Sequence, residues 1–451
     1  MIKVMKFGGT SMGSVESLSN VRDIVSEEPW GKVVVVSAMS DVTNLLISWI
    51  ETRDPPLVEL MDSLYQRHMD VMEPLLSKES MTAYREDIRI RLEKLSELMS
   101  HYGRNPSNVL ADAISSWGER LSSLSLVCIL RDAGMDAVRL TSESAGIVAK
   151  GHPGSGTCDL QVTSENLKKS VLHLLNEGKT VVITGYYGID EAGRPLTLGR
   201  GGSDYSAAVV AYALDADLLE IWTDVDGFMT ADPRLVENAK TIQEMNYTEA
   251  AELAYFGAKV LHARTMEPAR QKGILIRVRN TFNPEGMGTS IHHLRAREGG
   301  MLRGVAFKPD LSVIKIYSSE IVYDPQLVCK IISSISGNGV STYAMSTSLS
   351  TLAVAIHSSA VAETLASLNA LEDGQIERIK VKDNVCLVCA VGDNMIDIPG
   401  VAARIFDAVE HAGANVEMIS EGASDVALNF VVSSQASGSV VRKLHSMFIG
   451  D

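Results

Sequence analysis

Apolar residues recur along the chain with two periods. Short β-prone runs at residues 2–7, 33–36, 137–140, 181–184, 218–222 and 274–278 are bounded by glycine, serine or aspartate, which is the pattern of strands. Between them the apolar positions fall at helical spacing: Met12, Val15, Leu18, Val21, Ile24 and Val25 ahead of Pro29, then residues 164–176, 206–214, 248–256 and 260–271. The four valines at 33–36 are too apolar for a sheet edge and suit a parallel strand covered on both faces. Strand, loop and helix in alternation predict a mainly parallel α/β sheet with its polar loops gathered at one edge. From Leu45 to about Arg131 the pattern is helical, with breaks at Pro55-Pro56, Pro74 and residues 103–106, and predicts a helical insertion. In residues 88–99 the apolar positions are interleaved with charges, as on an exposed amphipathic helix.

The last third repeats itself. Residues from Leu311 and from Val385 match at an offset of 74: Pro325 with Pro399, Gly339 with Gly413, Ser346 with Ser420, Leu327 with Val401, Ile331 with Ile405. Two copies of one small unit are expected, each running strand, helix (325–336; 399–412), strand, strand, helix (360–370; 435–447). Only two copies exist, which argues against a solenoid.

Composition narrows the function. At 451 residues, with 45% hydrophobic and 22% charged, the chain is expected to form two or three globular domains. A net charge of -15 argues against a nucleic-acid surface. No apolar run reaches bilayer length and the N-terminus lacks a signal-peptide pattern, so no membrane partner and a cytoplasmic location are expected. The five cysteines are expected to be reduced. Cys386-x-x-Cys389 lies within an apparent strand, where residues three apart face opposite sides, and is expected to be structural.

The chemistry concentrates in glycine loops. Thr197–Tyr205 reads T-L-G-R-G-G-S-D-Y; its glycines let backbone N–H groups approach an anion, and a helix follows. Arg200 offers a fork for a carboxylate or phosphate, and Asp204 can hold a metal or orient a lysine. A second loop, Gly8-Gly9-Thr10-Ser11, follows the first strand. It is not a Walker A loop, because Lys6 precedes the glycines. Alone, Lys6 also suits a solvated strand end, as Arg200 and Asp204 suit a plain hairpin. Ser37, Thr43 and Asn44 lie beyond the valine strand; Thr43-Asn44 also suits a helix cap. Glu119 sits beside Gly118, and Lys259 at an expected helix start suggests an anion nearby.

The pieces K-F-G-G-T-S (6–11), the loop 37–44, W-G-E (117–119), T-L-G-R-G-G-S-D-Y (197–205), W-T-D-V-D-G (222–227), D-P-R (232–234) and F-G-A-K-V-L-H (256–262) stand in the order found in aspartate kinases. The chain thus resembles that family. The resemblance implies an amino-acid-kinase-like αβα sandwich (1–298, insertion about 45–131) followed by two ferredoxin-like α+β ACT domains (299–383 and 384–451). It implies transfer of the ATP γ-phosphoryl group to the β-carboxylate of L-aspartate, with Mg²⁺, and feedback by lysine or threonine through the ACT domains. It also implies homodimers through those domains and pairing of dimers into tetramers. By position, Lys6 resembles the group that stabilises the transferring phosphoryl, and Gly8, Gly9 and Thr10 the phosphate cradle. Glu119 resembles the acceptor of the substrate ammonium and Arg200 the clamp on its α-carboxylate, beside Ser37, Thr43, Tyr186 and Ser203. Asp204 resembles the acid that organises Lys6 and Mg²⁺. Thr223, Asp224, Phe228, Asp232, Arg234 and Lys259 match the ATP side. Three features depart from the family pattern: His262-Ala263 replaces a common His-Pro, Gln326 stands where the second copy has Gly400, and Tyr343 stands where lysine-sensing members tend to carry an acid. A kinase acting on acetylglutamate, glutamate or carbamate, and an inactive amino-acid sensor, are the alternatives.

Overall fold

The computed structural model describes residues 1–257, 260–293, 301–337, 339–371, 374–393, 395, 398–422 and 424–450. The chain forms two compact units: Met1–Phe228 with Gln243–Tyr247 and Val260–Leu294, and Met229–Ile242 with Thr248–Lys259 and Arg295–Asp451. Two segments expected within 1–298, residues 229–242 and 248–259, therefore belong to the second unit.

The first unit is built on an eight-stranded sheet in the order Glu244–Asn246, Thr289–His292, Leu275–Asn280, Leu218–Thr223, Ile2–Phe7, Gly31–Val36, Thr180–Thr184, Ala137–Leu140. Neighbours run parallel except at Leu275–Asn280 and Thr289–His292. The valines of Gly31–Val36 are fully buried between Ile2–Phe7 and Thr180–Thr184, as a central parallel strand requires. The expected insertion is a cluster of helices, Val42–Thr52, Leu57–Met72, Lys78–Arg104, Asn108–Ser115 and Trp117–Asp132. The long helix Lys78–Arg104 buries Tyr84, Ile88, Leu92, Leu95 and Met99 and exposes Ile90.

Two helix limits differ from expectation. The helix expected at 206 starts at Gly202, inside the glycine motif, because Gly201 at φ 67 supplies the left-handed entry. The helix expected at 260–271 begins at Met266 after a short turn at Ala263–Thr265. There His262 Nδ1 accepts from Arg264 N at 3.3 Å, a capping bond that stops the helix from running back. Lys259, expected at a helix start, lies outside the described residues.

Within the insertion His68 is fully buried, its Nδ1 3.2 Å from both Tyr84 Oη and Ser125 Oγ. Burial, then Arg67, pulls its pKa down to about 4. The folded protein thus keeps this ring neutral while the unfolded chain takes a proton below about 6.5. Stability is therefore lost as pH falls from about 6.5 to 4, and the difference is constant below that. Between pH 7 and 5 the parent is expected to lose about 2 kcal/mol more than His68→Leu, measured by urea unfolding.

The second unit carries a six-stranded antiparallel sheet in the order Thr342–Thr347, Thr351–His357, Gly304–Tyr317, Arg378–Val391, Ala427–Ser433, Val416–Ser420. The matched repeat positions are its core: Ile314, Leu327, Ile331, Ile335, Val354 and Ile356 in one cluster, Val388, Val401, Ile405, Val409, Leu428 and Phe430 in another. The strand Gly304–Tyr317 serves both copies. Its residues 304–308 pair with 391–387, whereas 311–317 pair with 357–351 and, across a register shift, with 385–378. The expected cut at 299 thus places residues 304–308 with the first copy, while they complete the second copy's sheet. The bend falls at Asp310 (φ 60) and Asn384 (φ 57), equivalent in the repeat and of the residue types that tolerate this conformation. Cys386 and Cys389 are buried in that sheet as free thiols, as expected.

Candidate active site

Four adjacent strands of the first unit end in the predicted loops. Ile2–Phe7 holds Lys6 and feeds Gly8-Gly9-Thr10; Gly31–Val36 feeds Ser37 and Ala38; Thr180–Thr184 feeds Gly185 and Tyr186; Leu218–Thr223 feeds Asp224. Because these strands are parallel neighbours, all their C-terminal ends lie at one rim, where α/β proteins bind ligands. Two helix starts reach the same rim. A Cβ on Gly118 would lie 2.5 Å from Ala38 Cβ and 3.1 Å from Thr43 Oγ1, and one on Gly185 would lie 3.0 Å from Ser203 Cβ. Helices Trp117–Asp132 and Gly202–Ala213 therefore bring Glu119 and Ser203–Asp204 against the strand ends through side-chain-free contacts.

At the rim Lys6 Nζ pairs with Asp204 Oδ1 at 2.5 Å, and both side chains are largely buried. A Cβ on Gly8 would lie 3.4 Å from Lys6 Nζ, so the glycine keeps the space before the ammonium clear. Glu119 is 3% exposed. Its Oε1 accepts from Ala38 N at 3.1 Å, while among the described residues Oε2 has no hydrogen-bond partner. Burial pushes its carboxyl up to about 8, against the opposing pull of Ala38 N–H, Ser203 and Lys6. A buried carboxylate with an open oxygen calls for a cationic donor. Tyr186, at φ 77, gives its N–H to Ser206 Oγ at 2.9 Å. Its phenol is pushed up to about 12 by burial and then by the Glu119 charge.

Arg200 is exposed, and its charge is felt at His262. No carboxylate pairs with it among the described residues. His262 packs on Gly201, where a Cβ would meet His262 Cβ at 2.2 Å, and this contact holds the motif. Thr223 Oγ1 donates to Asp224 Oδ1 at 3.2 Å, and the buried Phe228 gives its N–H to Thr289 Oγ1 at 2.9 Å. Asp232 and Arg234 belong to the second unit, where they form a forked ion pair at 2.5 Å.

Asp112 was not singled out by sequence. Buried in helix Asn108–Ser115, it accepts from Thr197 N at 2.7 Å and Gly154 N at 3.1 Å, and so anchors the start of the glycine motif. An acid among the apolar residues of V-L-A-D-A-I was its available signal.

A model of the amino acid kinase family matches residues 1–280, and an ACT domain model matches 388–448. Lysine-sensitive aspartokinase 3 of Escherichia coli is 32% identical over 99% of this chain and 98% of its own. Bifunctional aspartokinase/homoserine dehydrogenase 1 of Zea mays is 30% identical over 99% of this chain, which spans about half (50%) of that longer protein. The crystal structure of E. coli aspartokinase III in complex with aspartate and ADP matches with a TM-score of 0.86, at 31% identity over 99% of each chain.

Proposed function

Because this chain belongs to the aspartokinases of the amino acid kinase family, its reaction is transfer of the ATP γ-phosphoryl group to the β-carboxylate of L-aspartate, and we propose that the rim residues above perform it. The reading rests on Glu119: a buried carboxylate with one open oxygen, beside Lys6 and Ser203, suits the α-ammonium of aspartate. Arg200 would take the α-carboxylate through its fork, with Ser37, Thr43, Tyr186 and Ser203 lining the remainder. The β-carboxylate is ionised at neutral pH and attacks without a general base. Lys6, held by Asp204, stabilises the charge on the phosphoryl oxygens as the bond to the nucleotide breaks. Gly8, Gly9 and Thr10 present backbone N–H groups to the phosphates, and Thr223, Asp224 and Phe228 are assigned to the nucleotide.

Mg²⁺ fits this donor set. The largely buried Asp204 carboxylate offers a hard oxygen donor at the rim, which suits an ion that takes its remaining ligands from phosphate and water. Asp204 is the carboxylate assigned to it, and the ion would neutralise phosphate charge.

Effector control is assigned to the ACT copies, as the lysine-sensitive relative supports. In the first copy Asp324 Oδ1 already accepts from Gln326 N at 2.9 Å, occupying the helix start. Tyr343 there lies under Lys308 at 4.6 Å and against Tyr255 at 5.9 Å. The second copy opens its helix with Gly400 at φ 85, beside a cavity of about 620 Å³ lined by Pro399, Gly400, Val401 and Glu421. Lysine or threonine is assigned to this copy, and homodimers formed through the ACT domains, which in turn pair into tetramers, are part of the reading.

The test is ADP release with aspartate, glutamate, acetylglutamate and carbamate, titrated separately with lysine and threonine. Aspartate alone is expected to support turnover, and inhibition by one effector is expected to be lost in Gly400→Gln. Turnover with another acid, or none with aspartate, contradicts the assignment.

A further inference from the structure

Two pairs of consecutive residues border the aspartate side: Glu119-Arg120 at the start of Trp117–Asp132, and Tyr186-Tyr187 after Thr180–Thr184. The first members meet the start of the same helix, Gly202–Ala213: a Cβ on Gly202 would lie 2.9 Å from Tyr186 Cδ2, and the next residue, Ser203, acts on the Glu119 carboxyl. The second members meet at Glu143, in the helix Ser142–Ala145. Arg120 Nη2 pairs with Glu143 Oε1, and Tyr187 Oη donates to Glu143 Oε2 at 2.9 Å. The Arg120 guanidinium also lies 4.8 Å from the Tyr187 ring centroid and 5.8 Å from that of Trp117. Its Nε donates to Ser116 Oγ at 3.2 Å, and its carbonyl accepts from Arg139 at 2.9 Å. Tyr187 is fully buried, and Thr184 Oγ1 donates to its hydroxyl at 3.2 Å.

This arrangement matters because Tyr186 is strained. A tyrosine at φ 77 is stable only where its surroundings over-determine it. Its N–H is held by Ser206 and its carbonyl accepts from Leu198 N at 2.8 Å, and the next residue, Tyr187, is locked from several sides. We infer that Arg120, Glu143 and Tyr187 form a clasp that fixes the spacing of Glu119 and Tyr186, and so act as positioning residues for aspartate binding. The clasp works through geometry. The cation that acts on Glu119 is Lys6, whereas Arg120 is engaged by Glu143 and pulls that carboxyl below its usual range against the opposing effect of burial. The inference rests on the reading that Glu119 receives the substrate ammonium.

The test compares Glu143→Gln, Tyr187→Phe, the double variant, Arg120→Met and Arg120→Lys in steady-state ADP release, each checked for an unchanged Tm. Displacing a binding group by a fraction of an ångström is expected to raise KM for aspartate about tenfold, with kcat and KM for ATP within about threefold of the parent. The preference for aspartate over succinate, which lacks the ammonium, falls in parallel. Because the clasp acts as a unit, the double variant is no worse than Glu143→Gln, and Arg120→Lys recovers part of what Arg120→Met loses. An unchanged KM for aspartate, or equal losses toward both substrates that track a fall in Tm, overturns the inference. Glu119→Gln separates the two readings. If it abolishes the preference over succinate while the clasp variants leave it intact, only the clasp fails; if it too leaves the preference intact, the ammonium assignment fails.

Discussion

Replacing Lys6 with alanine is expected to lower kcat by about 10²- to 10³-fold, the usual effect of removing one preorganised donor to developing charge. Lys6 is built for that role by position. Its strand is interior to the sheet, with Gly31–Val36 and Leu218–Thr223 hydrogen-bonded on either side, so its backbone is held from both edges. Its ammonium is paired with Asp204, which fixes it without a long hydrated excursion. In Lys6→Ala the largely buried Asp204 carboxylate loses its cation and faces the incoming phosphates, so KM for ATP rises as well. Asp204→Ala on the Lys6→Ala background is expected to recover part of the lost thermal stability, because it removes the orphaned charge. Steady-state kinetics with both substrates and a thermal scan check these outcomes.

Glu119→Gln is expected to lower kcat/KM for aspartate by about 10²- to 10³-fold, the effect of breaking a buried charge pair, with KM for ATP little changed. The pH profile carries the sharper signature. In the free protein burial holds the Glu119 carboxyl up to about 8, so below that pH it is mostly protonated and must lose its proton to accept an ammonium. The parent kcat/KM for aspartate therefore rises with pH up to about 8, since this parameter reports the free enzyme. In Glu119→Gln that limb disappears. A parent profile flat from pH 6 to 9, or one that keeps its limb in the variant, goes against Glu119 as the ammonium acceptor.

Much of the rim was legible because its signals are local. Strands of continuous valine or alternating apolar residues, each emptying into glycine, serine or aspartate, announce parallel strands with a polar edge. Lys6 and Asp204 could be named because each sits beside such a loop, whereas Glu119, inside a helix next to Gly118, took its role from the family resemblance. Features set by distant packing were not legible. Gly201 and Gly202 look like helix breakers, yet the helix starts between them because His262 and Tyr186 pack where side chains would clash. The helix expected from 260 starts at Met266 because one histidine caps a turn. The repeat gave the two ACT cores, since matched apolar positions are matched core positions. It could not show residues 304–308 completing the second copy, because strand register across more than 80 residues leaves no local mark. The Arg120–Glu143–Tyr187 clasp was missed for the same reason: its members are separated in sequence, and each alone looks like an ordinary surface or core residue.

The most direct measurement is a crystal structure of this chain with L-aspartate, Mg²⁺ and a non-hydrolysable ATP analogue. The account predicts the aspartate ammonium on the Glu119 carboxylate and the γ-phosphoryl analogue beside Lys6, with the β-carboxylate between them. Aspartate bound away from Glu119, or triphosphate out of reach of Lys6, contradicts it.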